Sequence, residues 1–286
     1  MKKILIVFTL SLLLSPIFAQ EETKEQKTAE PVRNTFGAEL LTESQTITSP
    51  YKGGFVLQIQ HRFSEIKNIH DLYGIYGSAN TRIGLNYGIS DRIMIGAGTT
   101  KDYSLQDLNW KYAILRQTED NSMPVSLSYF GNVVIDARAE ENFGPSADFK
   151  QMHRLSYFTQ LILARKISEK ISLQVAPSFI YFNTVKRFSD STGYKNLNFG
   201  LHAGGRANLF GNHSLTLEYD QLLTKQDVGG EMEKPKPNLA FGWEIGTGTH
   251  TFQVFATNYN LLIPQYNLLY NTNNYYMFGF NITVRF

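Results

Sequence analysis

The chain of 286 residues contains no cysteine, which excludes disulfide bonds and thiolate metal sites. Neither sign of charge dominates: 27 Lys and Arg face 25 Asp and Glu, so no excess favours a nucleic acid or a polycationic partner. The 6 histidines are scattered without the spacing of a metal site, and no phosphate-binding loop is present. We therefore expect no metal, no cofactor and no nucleic-acid partner.

Long hydrophobic runs are also missing. The longest, residues 4–14, has about eleven residues, whereas a membrane-spanning helix needs about 20. Lys2 and Lys3 precede this run, and Ser15 to Ala19 end it on a small residue, which is typical of a signal peptide cleaved after Ala19. If the rest of the chain spans a membrane, it must form a closed barrel, because an open sheet leaves backbone groups unpaired in lipid.

What the sequence has instead is alternation, seen most clearly in its last twelve residues. Apolar side chains occupy every second position, and the positions between them are small or polar, as in Gly279, Asn281, Thr283 and Arg285. This pattern predicts a strand with one apolar face and one polar face. It is typical of the terminal strand that directs insertion of outer-membrane barrels. The apolar positions are Tyr276, Phe278, Phe280, Ile282, Val284 and Phe286.

The same alternation recurs from Gly54 onward. It predicts an all-β, transmembrane, antiparallel up-and-down barrel of about twelve strands, an even number as in single-chain bacterial barrels. The predicted connections alternate between short turns, such as residues 90–91 and 211–213, and long loops, such as 65–77 and 137–150. Short periplasmic turns and longer outer loops are typical of such barrels. A soluble β-sandwich is the competing fold, but its loop lengths need not alternate.

Two segments precede the regular pattern. Residues 20–34 are polar and predict a mobile periplasmic tether, and residues 35–286 form the predicted barrel domain. Within it, residues 35–51 contain scattered apolar positions. They fit a short helix, a first strand or a segment folded into the lumen, and the sequence does not choose among these.

The polar face of the strands should line the lumen, and its charges are mixed. A three-residue turn at 211–213 would place Arg206 opposite Glu218, as a cross-strand pair that fills a narrow barrel. Arg62, Arg82 and Arg154 fall near the long loops. They could form an anion-attracting mouth or pair with Glu65, Asp71 or Asp148 in the loops. The lumen-facing candidates are Arg62, Arg82, Lys111, Arg154, Arg206, Glu218, Glu244 and Arg285.

Several local strings resemble one uncharacterised barrel family. They are Gln60 to Phe63, Arg154 to Tyr157, Ser172 to Pro177, Gly204 to Arg206, Gly246 to Gln253 and Phe278 to Ile282. The family is one of Bacteroidota, a domain of unknown function taken to be in the outer membrane, and the likeness covers residues 35–286. Thr249 departs from the expected Gly before His250. The resemblance implies fold and location, and it brings no functional residues.

Three functions remain open at this stage. The first is an outer-membrane barrel of a Gram-negative bacterium, exported through the periplasm and placed in lipid by the insertion machinery, that forms a narrow channel or is plugged by its own side chains. The second is a non-conducting scaffold for an unknown partner. The third is a lipid-facing enzyme, for which His61 has the right parity but lacks a paired serine. We expect no catalysis.

Overall fold

The computed structural model describes residues 29–144, 148–187, 192–229 and 232–286. The predicted signal peptide, residues 1–19, and residues 20–28 of the predicted tether lie outside the described part. Within it, no helix combines the length and the apolar character needed to cross a membrane.

Twelve antiparallel strands close into one barrel, each paired with its neighbours in sequence. The first and last strands meet edge to edge, with Ile59 opposite Ile282, so no strand edge is left open. This confirms the predicted up-and-down barrel. The strands are β1 Phe55–Glu65, β2 Asn80–Ser90, β3 Ile93–Thr100, β4 Leu105–Leu115, β5 Ser126–Asp136, β6 Leu155–Lys166, β7 Ile171–Phe182, β8 Leu197–Phe210, β9 His213–Leu222, β10 Asn238–Gly246, β11 His250–Thr257 and β12 Met277–Arg285.

The two faces of the strands differ as the alternation predicts. Outward side chains are apolar and open, with Leu108 63%, Val254 60% and Phe241 55% exposed. Inward neighbours such as Asn109 and Gln253 are buried. A continuous apolar belt around a closed barrel is stabilised by lipid, whereas in water it would be a large exposed patch. The apolar positions of the terminal strand, from Tyr276 to Phe286, belong to this outward face.

The connections give the barrel two distinct ends. At the turn end, β2–β3, β6–β7, β8–β9 and β10–β11 are joined by two to four residues. At the loop end, most connections are long, and the longest spans residues 258–276 and contains helix α1, Pro264–Tyr270. One pair breaks the alternation: residues 101–104 at the loop end are fewer than residues 116–125 at the turn end.

The predicted register between β8 and β9 is wrong. The turn has two residues, Gly211 and Asn212, and an irregularity between Asn208 and Phe210 shifts the ladder. Arg206 is therefore opposite Thr216, and Glu218 is opposite Gly204. Gly211 has a φ of +49°, a conformation that favours glycine and makes this tighter turn possible. The expected Arg206–Glu218 pair does not form.

Part of the inward face is apolar, which the alternation of the other strands did not predict. On β5, β6 and β7 the side chains of Phe130, Phe158, Ile162 and Ile180 point inward and are almost fully buried. They pack against the segment 259–270, which enters the barrel from the loop end. A hydrophobic core thus lies inside the barrel, at the loop end.

Candidate functional site: the occluded lumen

The chain before β1 folds into the lumen, one of the three arrangements open for residues 35–51. We call residues 36–46 the N-terminal plug. They form a tight hairpin: the amide of Leu41 donates to the carbonyl of Ser44 at 2.9 Å, and the amide of Thr46 to that of Glu39 at 2.8 Å. Its residues are buried apart from the half-buried Gly37, so the plug is enclosed by the barrel wall.

Glu218 on β9 holds the tip of the plug. Its Oε2 accepts hydrogen bonds from the backbone amides of Thr42, Glu43 and Ser44, each at 3.0 Å. Its Oε1 accepts from the Tyr259 hydroxyl at 2.5 Å, in the segment that enters from the loop end. The side chain is 0% exposed. One buried carboxylate therefore connects two internal segments to the barrel wall, and charge-assisted bonds of this kind are among the stronger ones.

The carbonyl groups of the plug are also satisfied by the wall. Gln253 on β11 donates to Leu40 and Leu41 at 3.1 and 2.7 Å, and Asn281 on β12 donates to Thr42 at 2.7 Å. Gln174 on β7 donates to Gln45 at 3.0 Å. Because an unpaired buried backbone group is costly, these bonds fix the position of the plug from several sides.

Three of the predicted arginines form ion pairs in the lumen. Arg62, 0% exposed, lies 3.2 Å from Glu43 of the plug. Arg82 forms a two-point pair with Asp107 of β4, at 2.9 and 2.7 Å. Arg206 reaches past β9 to Glu244 of β10 at 2.6 Å. The partners are lumen carboxylates, not the loop residues Glu65, Asp71 or Asp148, so the charges of Arg62 and Arg82 are neutralised inside the barrel.

The remaining predicted residues contact the segment before β1 or lie outside the lumen. Lys111 donates to the Thr48 carbonyl at 2.7 Å, and Arg285 donates to the Gly37 carbonyl and to Thr251. Arg154 is a correction: it lies in the short helix Gln151–Arg154 of the loop before β6, not on the inward face of a strand.

Burial shifts the pKa of ionisable groups in both the plug and the seal. It raises the pKa of the Glu43 carboxyl, while the Arg62 guanidinium acts in the opposite direction. Burial also raises the pKa of the Tyr259 phenol well above its ordinary value, so Tyr259 is neutral and can donate to Glu218.

The loop end of the lumen is closed by apolar packing. Leu261, Ile263, Leu268 and Leu269 are buried against the inward apolar residues of β5, β6 and β7. Gln265 of α1 exchanges hydrogen bonds with Asn132 of β5 at 2.9 and 3.3 Å. We call residues 259–270 the loop-end seal. The seal and the plug meet at Glu218, so the lumen is blocked from both ends.

Above the seal lies an open cavity of about 620 Å³, which we call the vestibule. Its floor is formed by Tyr266 and Tyr270 of α1, and its walls come from loop residues and the loop-end tips of β5, β6 and β7. Tyr103, Arg138, Arg154 and Phe182 are among the lining residues.

The described end of the predicted tether is docked, not free. Val32 donates to the Gln117 carbonyl at 2.8 Å, and Glu119 donates to that of Glu30 at 3.0 Å. Residues 30–32 thus pair with the connection between β4 and β5 at the turn end. Residues 20–28 lie outside the described part.

The sequence of the barrel matches a known family model. Residues 36–286 match the model described as "Membrane bound beta barrel domain (DUF5777)". The chain belongs to this family. The match includes the plug, the seal and every strand. A search of curated proteins found no relative.

Solved barrels share the fold. NanC porin superposes with a TM-score of 0.52 at 8% identity, over 81% of this chain and 98% of the porin. KdgM porin gives 0.50 at 6% identity, over 81% and 99%. Outer membrane phospholipase A from Escherichia coli gives 0.42 at 15% identity, over 88% and 98%. At these identities the likeness of the two porins shows the fold alone, a closed β-barrel, and the family description adds that this DUF5777 barrel is membrane-bound.

His61, the histidine considered for a lipid-facing enzyme, lies on the lipid-facing side of β1. Its Nδ1 is 2.9 Å from Thr81 Oγ1, and its ring stacks on Phe280 with centroids 5.0 Å apart. Among the described residues, the hydrogen-bond partner of the His61 ring is the threonine Thr81 and not a serine or a carboxylate.

Proposed function

We propose that this DUF5777 protein, in the outer membrane of a Bacteroidota bacterium, is a self-plugged barrel. It is exported through the periplasm and placed in lipid by the barrel-insertion machinery, with its turn end toward the periplasm, as is general for such barrels. Its lumen is closed in the present conformation, it opens only when the plug and the seal both move away from Glu218, and the protein has no catalytic activity.

The observation that carries the proposal is the position of Glu218. Three amides of the plug and the hydroxyl of the seal converge on this one carboxylate. A lumen filled only by wall side chains would have no such common anchor. Removing the carboxylate leaves four buried donors without an acceptor, each at a cost of about 1–3 kcal/mol. Glu218 is therefore the residue that couples the plug to the seal.

Conductance in planar bilayers tests the proposal. The wild-type protein should show rare or no current steps, and Glu218→Ala should show frequent ones, because the plug and the seal both lose the anchor that they share. Ser214→Ala is the matched control: Ser214 lies on the same face of β9, is 0% exposed, and its hydroxyl has no hydrogen-bond partner in the described structure. This control should behave like wild type.

The other outcomes are equally informative. Steady wild-type conductance would contradict the closed lumen and favour a narrow open channel. Silence of both wild type and Glu218→Ala, with the variant correctly folded, would favour the non-conducting scaffold. Turnover of phospholipid by the purified wild-type protein would contradict the absence of catalysis.

A further inference from the structure

We propose that the vestibule is a binding site for a small organic anion that carries a flat apolar body, such as an aromatic ring. This inference rests on the proposed function, because the seal forms the floor of the site and makes it a dead end. The ligand is held at the loop-end surface and does not pass through.

The shape of the vestibule suits a small molecule. Its volume of about 620 Å³ lies within the range of about 300–1,000 Å³ that is usual for ligand pockets. The floor is supported from below, because α1 packs on the hydrophobic core inside the barrel. The cavity is therefore preformed and does not depend on the collapse of a loop onto the ligand.

The charges of the lining are one-sided. Among the described lining residues, four carry a permanent positive charge, and Asp136 is the carboxylate among them. Both oxygens of Asp136 are occupied by Arg138, at 2.5 and 2.9 Å. In the described part of the chain, no carboxylate lies within 4.0 Å of the other three. These three are Arg154, Lys186 and Arg187.

The guanidinium of Arg154 is held in place by contacts with the protein. Its guanidinium donates to the carbonyl of Asp136 at 2.9 Å and to that of Arg138. It also lies over the rings of Phe143 and Phe149, at 5.1 and 5.0 Å from their centroids. Carbonyl oxygens and rings fix the guanidinium without cancelling its charge, so its positive potential extends into the cavity.

The walls supply flat apolar surface. The rings of Tyr103 and Phe182 meet the floor residue Tyr266 with centroids 5.6 and 5.1 Å apart, and Tyr266 meets Tyr270 at 5.8 Å. An aromatic ligand would add further offset or edge-to-face contacts to this cluster of rings. A ring beside fixed cations selects a molecule that has both a flat body and a negative group.

Calorimetric titration of the detergent-solubilised protein tests the site with three probes. Phenyl phosphate carries the ring and the charge, inorganic phosphate carries the charge alone, and benzyl alcohol carries the ring alone. We expect saturable binding of phenyl phosphate, at least about tenfold tighter than either control, since each half contributes separately. Its affinity should fall as salt is raised.

Variants locate the binding. The double variant Lys186→Gln/Arg187→Gln should weaken phenyl phosphate binding about tenfold, because two charges are lost. The matched control Lys52→Gln/Lys170→Gln removes two exposed charges at the turn end and should change nothing. Tyr270→Leu keeps an apolar floor but removes a ring, and should weaken phenyl phosphate more than inorganic phosphate. A heat-dependent shift in electrophoresis confirms that each variant is folded.

Equal effects of the two double variants would overturn the site, and so would inorganic phosphate binding as tightly as phenyl phosphate. The two proposals fail separately. Wild-type conductance together with vestibule binding would contradict the closed lumen and leave the site in place. A wild-type protein that is silent, is opened by Glu218→Ala and does not bind phenyl phosphate would contradict the vestibule site and leave the closed lumen in place.

Discussion

At the scale of single residues, Glu218 shows what alternation can and cannot reveal. Its parity on β9 predicts an inward side chain, and the structure places it there with 0% exposure. Its partners were not predictable, because three of the four are backbone amides of a hairpin far away in the chain. Every residue type except proline can supply a backbone N–H, so the sequence around Thr42 carries no sign of this contact.

The pair of Arg82 and Asp107 gives the first residue-scale prediction. Arg82→Met should destabilise the barrel by about 3–5 kcal/mol, because it leaves the carboxylate of Asp107 buried without its cation. The double variant Arg82→Met/Asp107→Leu should recover most of the loss, since no unpaired charge remains. Urea unfolding in lipid vesicles measures both, with the outward-facing Trp110 and Trp243 as fluorescent reporters.

The control is an exposed pair. Lys67, in the loop after β1, lies 3.3 Å from Glu65 at the end of that strand, with 67% of the lysine side chain exposed. Lys67→Met should change the stability by at most about 1 kcal/mol, because solvent screens such pairs. If Arg82→Met were as mild as this control, the lumen would be hydrated enough to replace the lost partner.

At the scale of elements, the N-terminal plug is held mainly through its backbone. Residues 35–51 left three structures open because their apolar positions follow neither the strand period nor the helix period. Contacts with the barrel wall favour the hairpin, because amide side chains on β7, β11 and β12 donate to its carbonyl groups. The inward glutamine and asparagine residues of the wall did indicate a polar partner inside the lumen, since such side chains are costly when buried without partners.

Accessibility of the plug gives the element-scale prediction. The chain has no cysteine, so Ser44→Cys creates a unique thiol, at a position 3% exposed. It should react with a membrane-impermeant maleimide at least about tenfold more slowly than Asn212→Cys, which lies in an exposed turn. Adding Glu218→Ala should remove most of this difference. Equal rates in the two single variants would mean that the plug is not seated in the lumen.

The loop-end seal had a sequence signal that can be identified only with the structure in view. Phe130, Phe158 and Ile180 occupy the face of β5, β6 and β7 that is mostly polar on the other strands. Three adjacent strands with apolar residues on both faces need an apolar partner inside the barrel. The long loop 258–276 contains one, the run Leu261 to Ile263. The sequence does not indicate which loop turns inward.

At the scale of the whole molecule, the polarity of most of the barrel is the reverse of that of a soluble protein. Its outward face is apolar, its lumen holds ion pairs and amides, and a hydrophobic core lies inside the lumen at the loop end. The predicted pair of Arg206 and Glu218 is absent because one irregularity beside Gly211 shifts the whole ladder between β8 and β9. Register depends on the geometry of each turn, and alternation leaves it free to slip by two residues.

The lipid-facing belt gives the whole-molecule prediction. Leu161→Arg and Phe241→Arg should each cost about 2–4 kcal/mol, since both side chains lie on the outward face near the middle of their strands. Asn212→Arg, in an exposed turn, should be nearly neutral. Unfolding in vesicles measures all three. Small effects at Leu161 and Phe241 would indicate that this face meets water and not lipid.

The sequence by itself determined the number of strands, the face that each presents to lipid and the difference between the two ends, because these depend on a period of two and on loop length. Only the tertiary structure decided what fills the lumen. The plug, the seal and the vestibule are built by backbone groups and side chains that are distant in the chain, and a local pattern does not encode which of them meet.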